Sequence, residues 1–158
     1  MRADFYYSVD SSALLHGWIR AYPPTITIFQ PFWQRMSELI IEGRLRASIE
    51  VLNEIKKKDD ELATWCESNS EFFVDIEGDA IQEKVADLLR KYPRLVDTRK
   101  GRSGADPFVI AFAQIHNRPL TVVTEEKGGT REKPKIPYVC QEEGIRCISL
   151  LDLITEQS

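Results

Sequence analysis

The sequence predicts an α/β protein, a three-layer α/β/α fold around a central, mostly parallel sheet. Three observations predict it. Short apolar or aromatic runs bounded by turn residues alternate with segments of helical periodicity. Successive strand-like runs are separated by helical segments, the crossover connection that parallel pairing requires. The chain has 158 residues, 42% hydrophobic and 29% charged, which suits one globular domain and excludes a disordered chain. No internal repeat or second domain shows, so residues 1–158 are expected to form a single domain.

The elements follow in order. Phe5-Tyr6-Tyr7-Ser8-Val9 is aromatic-rich and ends on Asp10, a strand signal. Ser11 and Ser12 offer capping hydroxyls to a helix through about Ile19, and Pro23-Pro24 then breaks the chain. A second helix is expected from Phe32 to about Glu42, stopped by Gly43, with a short strand over Leu45–Ala47. Ser48 suits the N-cap of a helix from Ile49 to about Lys57, whose apolar stripe is Val51, Leu52 and Ile55. Further helices are expected near Glu61–Glu67 and from Asp79 to Pro93, around a short extended piece at Phe72–Val74. Thr98–Gly104 reads as a basic, glycine-containing loop. Asp106-Pro107 opens a strongly apolar helix through about His116, with Pro where the missing N–H costs least. Leu120–Thr124 is the clearest buried strand, Glu125–Pro134 a loop, Tyr138–Glu142 a short helix ending at Gly144, Ile145–Ile148 a strand and Leu150–Ile154 a last helix.

Asp4 and Asp10 interrupt the apolar stretch a secretory leader needs. The longest apolar run, Phe108–Ala113, falls far short of the roughly 18–20 residues that cross a bilayer. Cys66, Cys140 and Cys147 are odd in number and lack CxxC spacing, which excludes a disulfide framework and suits buried thiols in a reducing compartment. A soluble cytoplasmic protein without membrane partners is expected. Trp18, Trp33 and Trp65 read as core, and His116 near a helix end as a capping residue.

Ligands of parallel α/β sheets sit beyond the carboxyl ends of the strands. That rule makes Asp10 and the Glu125-Glu126 pair immediate candidates, and, in all, four places put a carboxylate where chemistry could use it. Asp10 follows the first strand, Glu50 and Glu54 share a helix face four residues apart, Asp106 opens a helix, and Glu125-Glu126 follow the strongest strand. Carboxylates gathered there repel unless cations lie between them. Mg²⁺ takes such oxygen ligands, and a one- or two-metal site suits in-line phosphoryl chemistry. Each acid also has an ordinary reading: Asp10 and Asp106 as helix caps, Glu50 and Glu54 as solvated residues, Glu125-Glu126 as a polar turn.

The set YSVDSSALL, ASIEVLNEIKK, SGADPFVIAFA and LTVVTEEK, closed by IPYVCQEEGIRCISLLDL, resembles the PIN-like domain pattern, near the toxin nucleases of VapBC-type modules. The resemblance covers nearly the whole chain. It implies Asp10, Glu54, Asp106 and Glu126 as catalytic metal ligands, with Glu50 and Glu125 as substitutes. The fourth position is usually Asp, so Glu126 is a departure. Ser12 matches a small hydroxyl position beside metal or phosphate. The resemblance further implies Mg²⁺ or Mn²⁺, endonucleolytic cleavage of RNA, a small DNA-binding antitoxin partner, and pairing of two copies. A nuclease acting on DNA and a catalytically silent binding module are the alternatives.

The formal net charge of −4 hides segregation. Arg90, Lys91, Arg94, Arg99, Lys100 and Arg102 face only Asp97 within residues 88–104, and Lys127, Arg131, Lys133 and Lys135 face only Glu132 within residues 127–135. Residues 59–87 carry ten acids against Lys84. Both basic segments adjoin candidate ligands, Asp106 and Glu126. Arg99, Lys100, Arg102 and Lys127 are therefore expected to contact phosphate, against the alternative of solvated loops.

Overall fold

Five short strands set the frame: Tyr7–Val9 (β1), Leu45–Ser48 (β2), Phe73–Val74 (β3), Thr121–Val123 (β4) and Cys147–Ile148 (β5). They belong to a computed structural model that describes residues 6–75, 79–96, 105–116 and 118–158. The strands pair in the order β3-β2-β1-β4-β5. Every pairing is parallel, with Tyr7 opposite both Leu45 and Thr121, Ala47 opposite Phe73 and Val122 opposite Cys147. β1 is central and its three residues are wholly buried. Among the described residues eight helices form the outer layers: Ser11–His16 (α1), Gln30–Ile41 (α2), Ile49–Lys56 (α3), Asp60–Ser68 (α4), Asp79–Lys91 (α5), Asp106–Gln114 (α6), Ile136–Glu143 (α7) and Leu150–Gln157 (α8). The result is the three-layer α/β/α fold with helical crossovers.

The strand order decides where a site can form. From β1 the chain proceeds to β2 and β3 on one side, then returns to β4 and β5 on the other. The reversal lies between β1 and β4, and connections leave their carboxyl ends in opposite directions, opening a crevice there. Asp10 follows β1 and Thr124 follows β4. The Asp10 N–H donates to the Val123 carbonyl at 2.9 Å, so the two strand ends are locked side by side.

α6 is the helix that seats this frame. It lies against β1, β2 and β4 and packs on α5. Val109, Ile110, Ala111, Phe112 and Ala113 are all buried, as an almost uniformly apolar helix must be. Burying each larger side chain contributes about 1.5–3 kcal/mol. Ser8 Oγ donates to the Val109 carbonyl at 2.9 Å, tying the first turns of α6 to β1. Trp18, Trp33 and Trp65 pack together as core, with ring centroids 4.9 Å apart for Trp18–Trp33 and 5.1 Å for Trp33–Trp65. The Trp33 indole N–H finds the Tyr22 carbonyl at 2.7 Å. His116 Nδ1 lies 2.8 Å from the Phe112 carbonyl, at the end of α6. All three cysteines are free, Cys66 and Cys140 buried and Cys147 half-buried.

Several boundaries differ from the sequence expectation for identifiable reasons. The first helix changes to a π-helical turn over Gly17–Ala21, where a Cβ on Gly17 would meet Leu150 Cδ2 at 2.8 Å. α2 begins at Gln30, with Pro31 inside its first turn. α7 begins at Ile136, two residues early, and Pro137 is accommodated in the first turn. Ile145 is not in β5, because its N–H closes the α7 terminus on the Cys140 carbonyl at 2.8 Å after Gly144 turns left-handed at φ 70°. α8 runs on to Gln157 under a Ser149–Asp152 capping box. Residue 5 and the Thr98–Gly104 loop lie outside the described residues. No helix among the described residues is long and apolar enough to cross a membrane.

The loop between β4 and α7 turns on two glycines. Gly129 has φ +105°, and a Cβ there would stand 2.7 Å from the Lys135 backbone nitrogen and 2.9 Å from Tyr138 Cβ. Gly128 also has positive φ, +73°, but nothing lies within 4 Å of its missing Cβ. Gly129→Ala is expected to destabilise the protein by about 1–3 kcal/mol, and Gly128→Ala by about 1 kcal/mol at most. Thermal unfolding followed by circular dichroism checks the order of the two.

Candidate functional site

Asp10 stands at the N-cap position of α1 yet makes no side-chain capping bond. Its carboxylate is turned into the protein and is 2% exposed. Oδ2 accepts from Ser12 Oγ at 2.5 Å and from Thr124 Oγ1 at 2.9 Å. Oδ1 is buried with no hydrogen-bond partner among the described residues. The expectation that Ser11 and Ser12 cap α1 is therefore corrected. Ser12 holds Asp10 and accepts the Glu125 N–H at 3.0 Å. Ser11 Oγ donates across to Glu54 Oε1 at 2.7 Å. Hydroxyls at a helix start usually serve orphan N–H groups, but here both serve carboxylates, a use that single-sequence capping rules do not contain.

Glu54 reaches the site from the second turn of α3, which Ser48 starts by accepting the Glu50 N–H at 3.3 Å. The helix buries Val51, Leu52 and Ile55, leaving Glu54 half-buried beside α1. Lys58 Nζ also meets Glu54 Oε1, at 3.3 Å. Glu50 sits in the first turn of the same helix, half-buried.

Glu125 and Glu126 divide their work. Thr124 and Glu126 follow β4 two residues apart, and the Glu126 N–H donates to Thr124 Oγ1 at 3.1 Å. Thr124 hydrogen-bonds Asp10, and the charge of Glu126 acts on Asp10. Glu126 Oε2 accepts the Ile136 N–H at 3.1 Å, at the start of α7. Glu125 turns to the other helix, its Oε1 accepting the Leu150 N–H at 2.9 Å at the start of α8. Both carboxylates thus sit where helix dipoles favour negative charge.

Burial, with the nearby charges of Glu126 and Glu54, raises the Asp10 carboxyl to about 6, against the lowering effect of the Ser12 and Thr124 hydroxyls. The structure thus brings Glu54 and Glu126 each within electrostatic reach of Asp10. Asp106 is buried at the first position of α6, after Ala105 as the N-cap, so it is not the N-cap itself. The Ser8–Val109 bond holds that turn against β1. Lys127 is exposed immediately after Glu126. Arg99, Lys100 and Arg102 lie outside the described residues.

A desolvated carboxylate with an unpartnered buried oxygen and two like charges bearing on it suits a cation. Among the described residues, however, no group of three or more His, Cys, Asp or Glu side chains is placed to hold a metal ion. The roles of Ser11 and Thr124 as carboxylate holders were not predicted. The only signal for them was two hydroxyls flanking the acids in sequence.

A protein-family model described as a domain of unknown function (DUF4411) matches residues 7–158. No curated protein matches the chain.

The Asp10 shift has a definite sign in stability. In the folded chain Asp10 stays protonated up to about pH 6, whereas the unfolded chain ionises it near about pH 4. Its favourable contribution is full below about pH 4 and is lost as pH rises towards 6, after which the penalty is constant. Asp10→Asn removes the buried charge. Without divalent ions it is expected to be more stable than the parent by on the order of 2 kcal/mol near neutral pH, with the gap closing below about pH 4. Urea unfolding in EDTA across this range measures it, and a pH-independent difference contradicts it.

Proposed function

We propose that this chain, which belongs to the DUF4411 family, is a divalent-metal-dependent endonuclease of PIN-like type that cleaves RNA. The observation that carries the reading is the Asp10 carboxylate, buried at the β1–β4 crevice with Oδ1 unpartnered and two further acids acting on it. A buried anion without a counter-charge is costly, and a cation supplied from solution removes that cost. The order of the four acids along the chain supports the same reading.

In this reading Asp10, Glu54, Asp106 and Glu126 would hold Mg²⁺ or Mn²⁺, with Glu50 as a substitute on α3. Glu125 is the weaker substitute, because its carboxylate holds the start of α8. When bound, the ion supplies activation of a water for in-line attack on phosphorus and neutralises charge on the phosphate. The chain supplies orientation. Ser12 and Thr124 fix one oxygen of Asp10 and leave the other to the site. Ser11 fixes Glu54. The start of α7 fixes Glu126, and the Glu side chain reaches the Ile136 N–H from its position after Thr124. Lys127, Arg99, Lys100 and Arg102 would meet phosphate from the basic segments. The role as toxin of a type II toxin–antitoxin module, its small DNA-binding antitoxin, pairing of two copies and a cytoplasmic setting rest on the sequence resemblance alone.

A catalytically silent binding module is the second reading. A specific observation favours it: one oxygen of Glu126 already serves Ile136, and among the described residues no three His, Cys, Asp or Glu side chains are spaced to hold a metal ion. Calorimetric titration with Mn²⁺ separates the two, since a silent module takes up no metal.

The proposal expects the purified chain to cut RNA with Mg²⁺ or Mn²⁺ and not with EDTA. Asp10→Asn and Asp106→Asn should reduce cleavage to background. Ser12→Ala and Thr124→Val should lose about 10–100-fold, the usual effect of removing a hydrogen bond that orients a metal ligand. Undiminished cleavage in EDTA, or by Asp10→Asn, overturns the mechanism. A substrate panel of RNA and single-stranded DNA distinguishes the two nucleic acids.

A further inference from the structure

Two cysteines that the nuclease reading does not use meet between α7 and β5. Cys140 lies on α7 and is buried, and Cys147 lies on β5 and is half-buried. We propose that this pair is a redox modification site, closed to a disulfide by a peroxide and reopened by a thiol reductant, which clasps α7 to β5. The inference is independent of the nuclease reading.

Three features support a reactive pair over two packed thiols. The first is the backbone between them. Gly144 ends α7 in the left-handed conformation at φ 70°, and the Ile145 N–H returns to the Cys140 carbonyl at 2.8 Å. This turn leads directly into β5, and the two sulfurs hydrogen-bond each other across it. Cysteines join without backbone rearrangement only when their side chains already converge, and a separation of seven residues leaves a short loop to close. The second is access. Cys147 lines an open cleft of about 500 Å³, where a small oxidant reaches it from solvent, whereas Cys140 is wholly buried. The third is a division of roles. The Cys140 S–H donates to the Cys147 sulfur, which lowers the Cys147 thiol against burial and the charges of Asp10 and Glu126, and pushes Cys140 up. Cys147 is therefore the attacking sulfur and Cys140 the resolving one. Cys66 is the contrast: buried on α4, it is pushed up to about 12 by burial and the charge of Glu67.

The chemistry balances in two steps. The Cys147 thiolate attacks the peroxide: an S–O bond forms, the O–O bond breaks, and the leaving oxyanion takes up the proton that Cys147 released. The Cys140 sulfur then attacks the Cys147 sulfur. The S–S bond forms, the S–O bond breaks, and hydroxide leaves as water with the Cys140 proton. The two thiols are oxidised by two electrons, and the peroxide is reduced by two. The clasp joins elements that both bear on the acids. α7 begins at the Ile136 N–H that holds Glu126, and the Ile148 carbonyl, next to Cys147, accepts the Thr124 N–H at 3.0 Å. Disulfides of a reducing compartment are usually transient and redox-sensing, and this one links the helix behind Glu126 to the strand beside Thr124.

Thiol counting on the full chain tests this without reference to RNA cleavage. The reduced protein, in EDTA, is exposed to hydrogen peroxide, then unfolded, alkylated and weighed by mass spectrometry. Alkylated thiols are expected to fall from three to the one of Cys66, and dithiothreitol to restore all three. Trypsin cuts after Lys135 and Arg146, so the bridge appears as a link between peptides 136–146 and 147–158. Cys66→Ser is expected to keep that link. In Cys140→Ala, Cys147 is expected to stop at the sulfenic acid and be captured by dimedone, whereas in Cys147→Ser the Cys140 thiol stays free. Three alkylated thiols after peroxide, a bridge to Cys66, a bridge between two chains, or oxidation of Cys147 to a sulfinic acid with no bridge in the unsubstituted chain overturns the proposal.

Discussion

The burial of one carboxylate organises this molecule. Asp10 follows the central strand, so it cannot leave the core without disturbing β1, and its N–H is fixed on Val123. Two hydroxyls satisfy one of its oxygens, and no group among the described residues satisfies the other. An arrangement of this kind lowers stability at neutral pH and has no packing benefit, because an apolar residue of similar size fills such space at lower cost. Residues that act against stability at the mouth of a parallel sheet, where topology already opens a crevice, point to chemistry. The electrostatic cost falls at the β1–β4 crevice, where the strand order leaves an opening.

The neighbouring acids are held by groups that tolerate their charge. Glu54 is fixed by Ser11 and approached by Lys58. Glu125 and Glu126 each accept a backbone N–H at a helix start. That division follows from the backbone: successive side chains leaving β4 diverge, so one glutamate is directed to α8 and the next to α7. α8 is further secured by its own capping box and, near its end, by Glu156 and Gln157, which bond the buried Tyr7 hydroxyl at 2.7 and 2.9 Å. The last helix is thus tied to the central strand through Tyr7.

The fold was legible because its determinants are local and periodic. Val51, Leu52 and Ile55 mark the buried face of α3, and the uniformly apolar Val109–Ala113 run marks the buried helix over the sheet. The alternation of such segments then forces a parallel sheet. Asp10 and Glu126 could be read as acids following strands, and Glu54 and Asp106 as acids on a helix and at a helix start; their grouping came from the resemblance. The partners that position them were not, because they depend on contacts between distant segments. Ser11 with Glu54 spans 43 residues and Thr124 with Asp10 spans 114. The local rule for Ser11 and Ser12 predicted helix caps, and tertiary demand from the buried carboxylates prevailed.

The length of the fourth acid follows from the same geometry. Glu126 must stay on the Thr124 side of the chain to act on Asp10, yet its carboxylate also closes onto Ile136, ten residues later. The intervening loop is drawn tight at Gly129, where the backbone passes too close to Lys135 and Tyr138 for any Cβ. A loop so constrained fixes where α7 begins, and the start of α7 fixes the carboxylate. An aspartate at this position is one methylene shorter and cannot span both demands without moving the helix. The glutamate is accordingly matched to the loop that follows it, and a site built in this way depends on Gly129 and the start of α7 as directly as on the acids themselves.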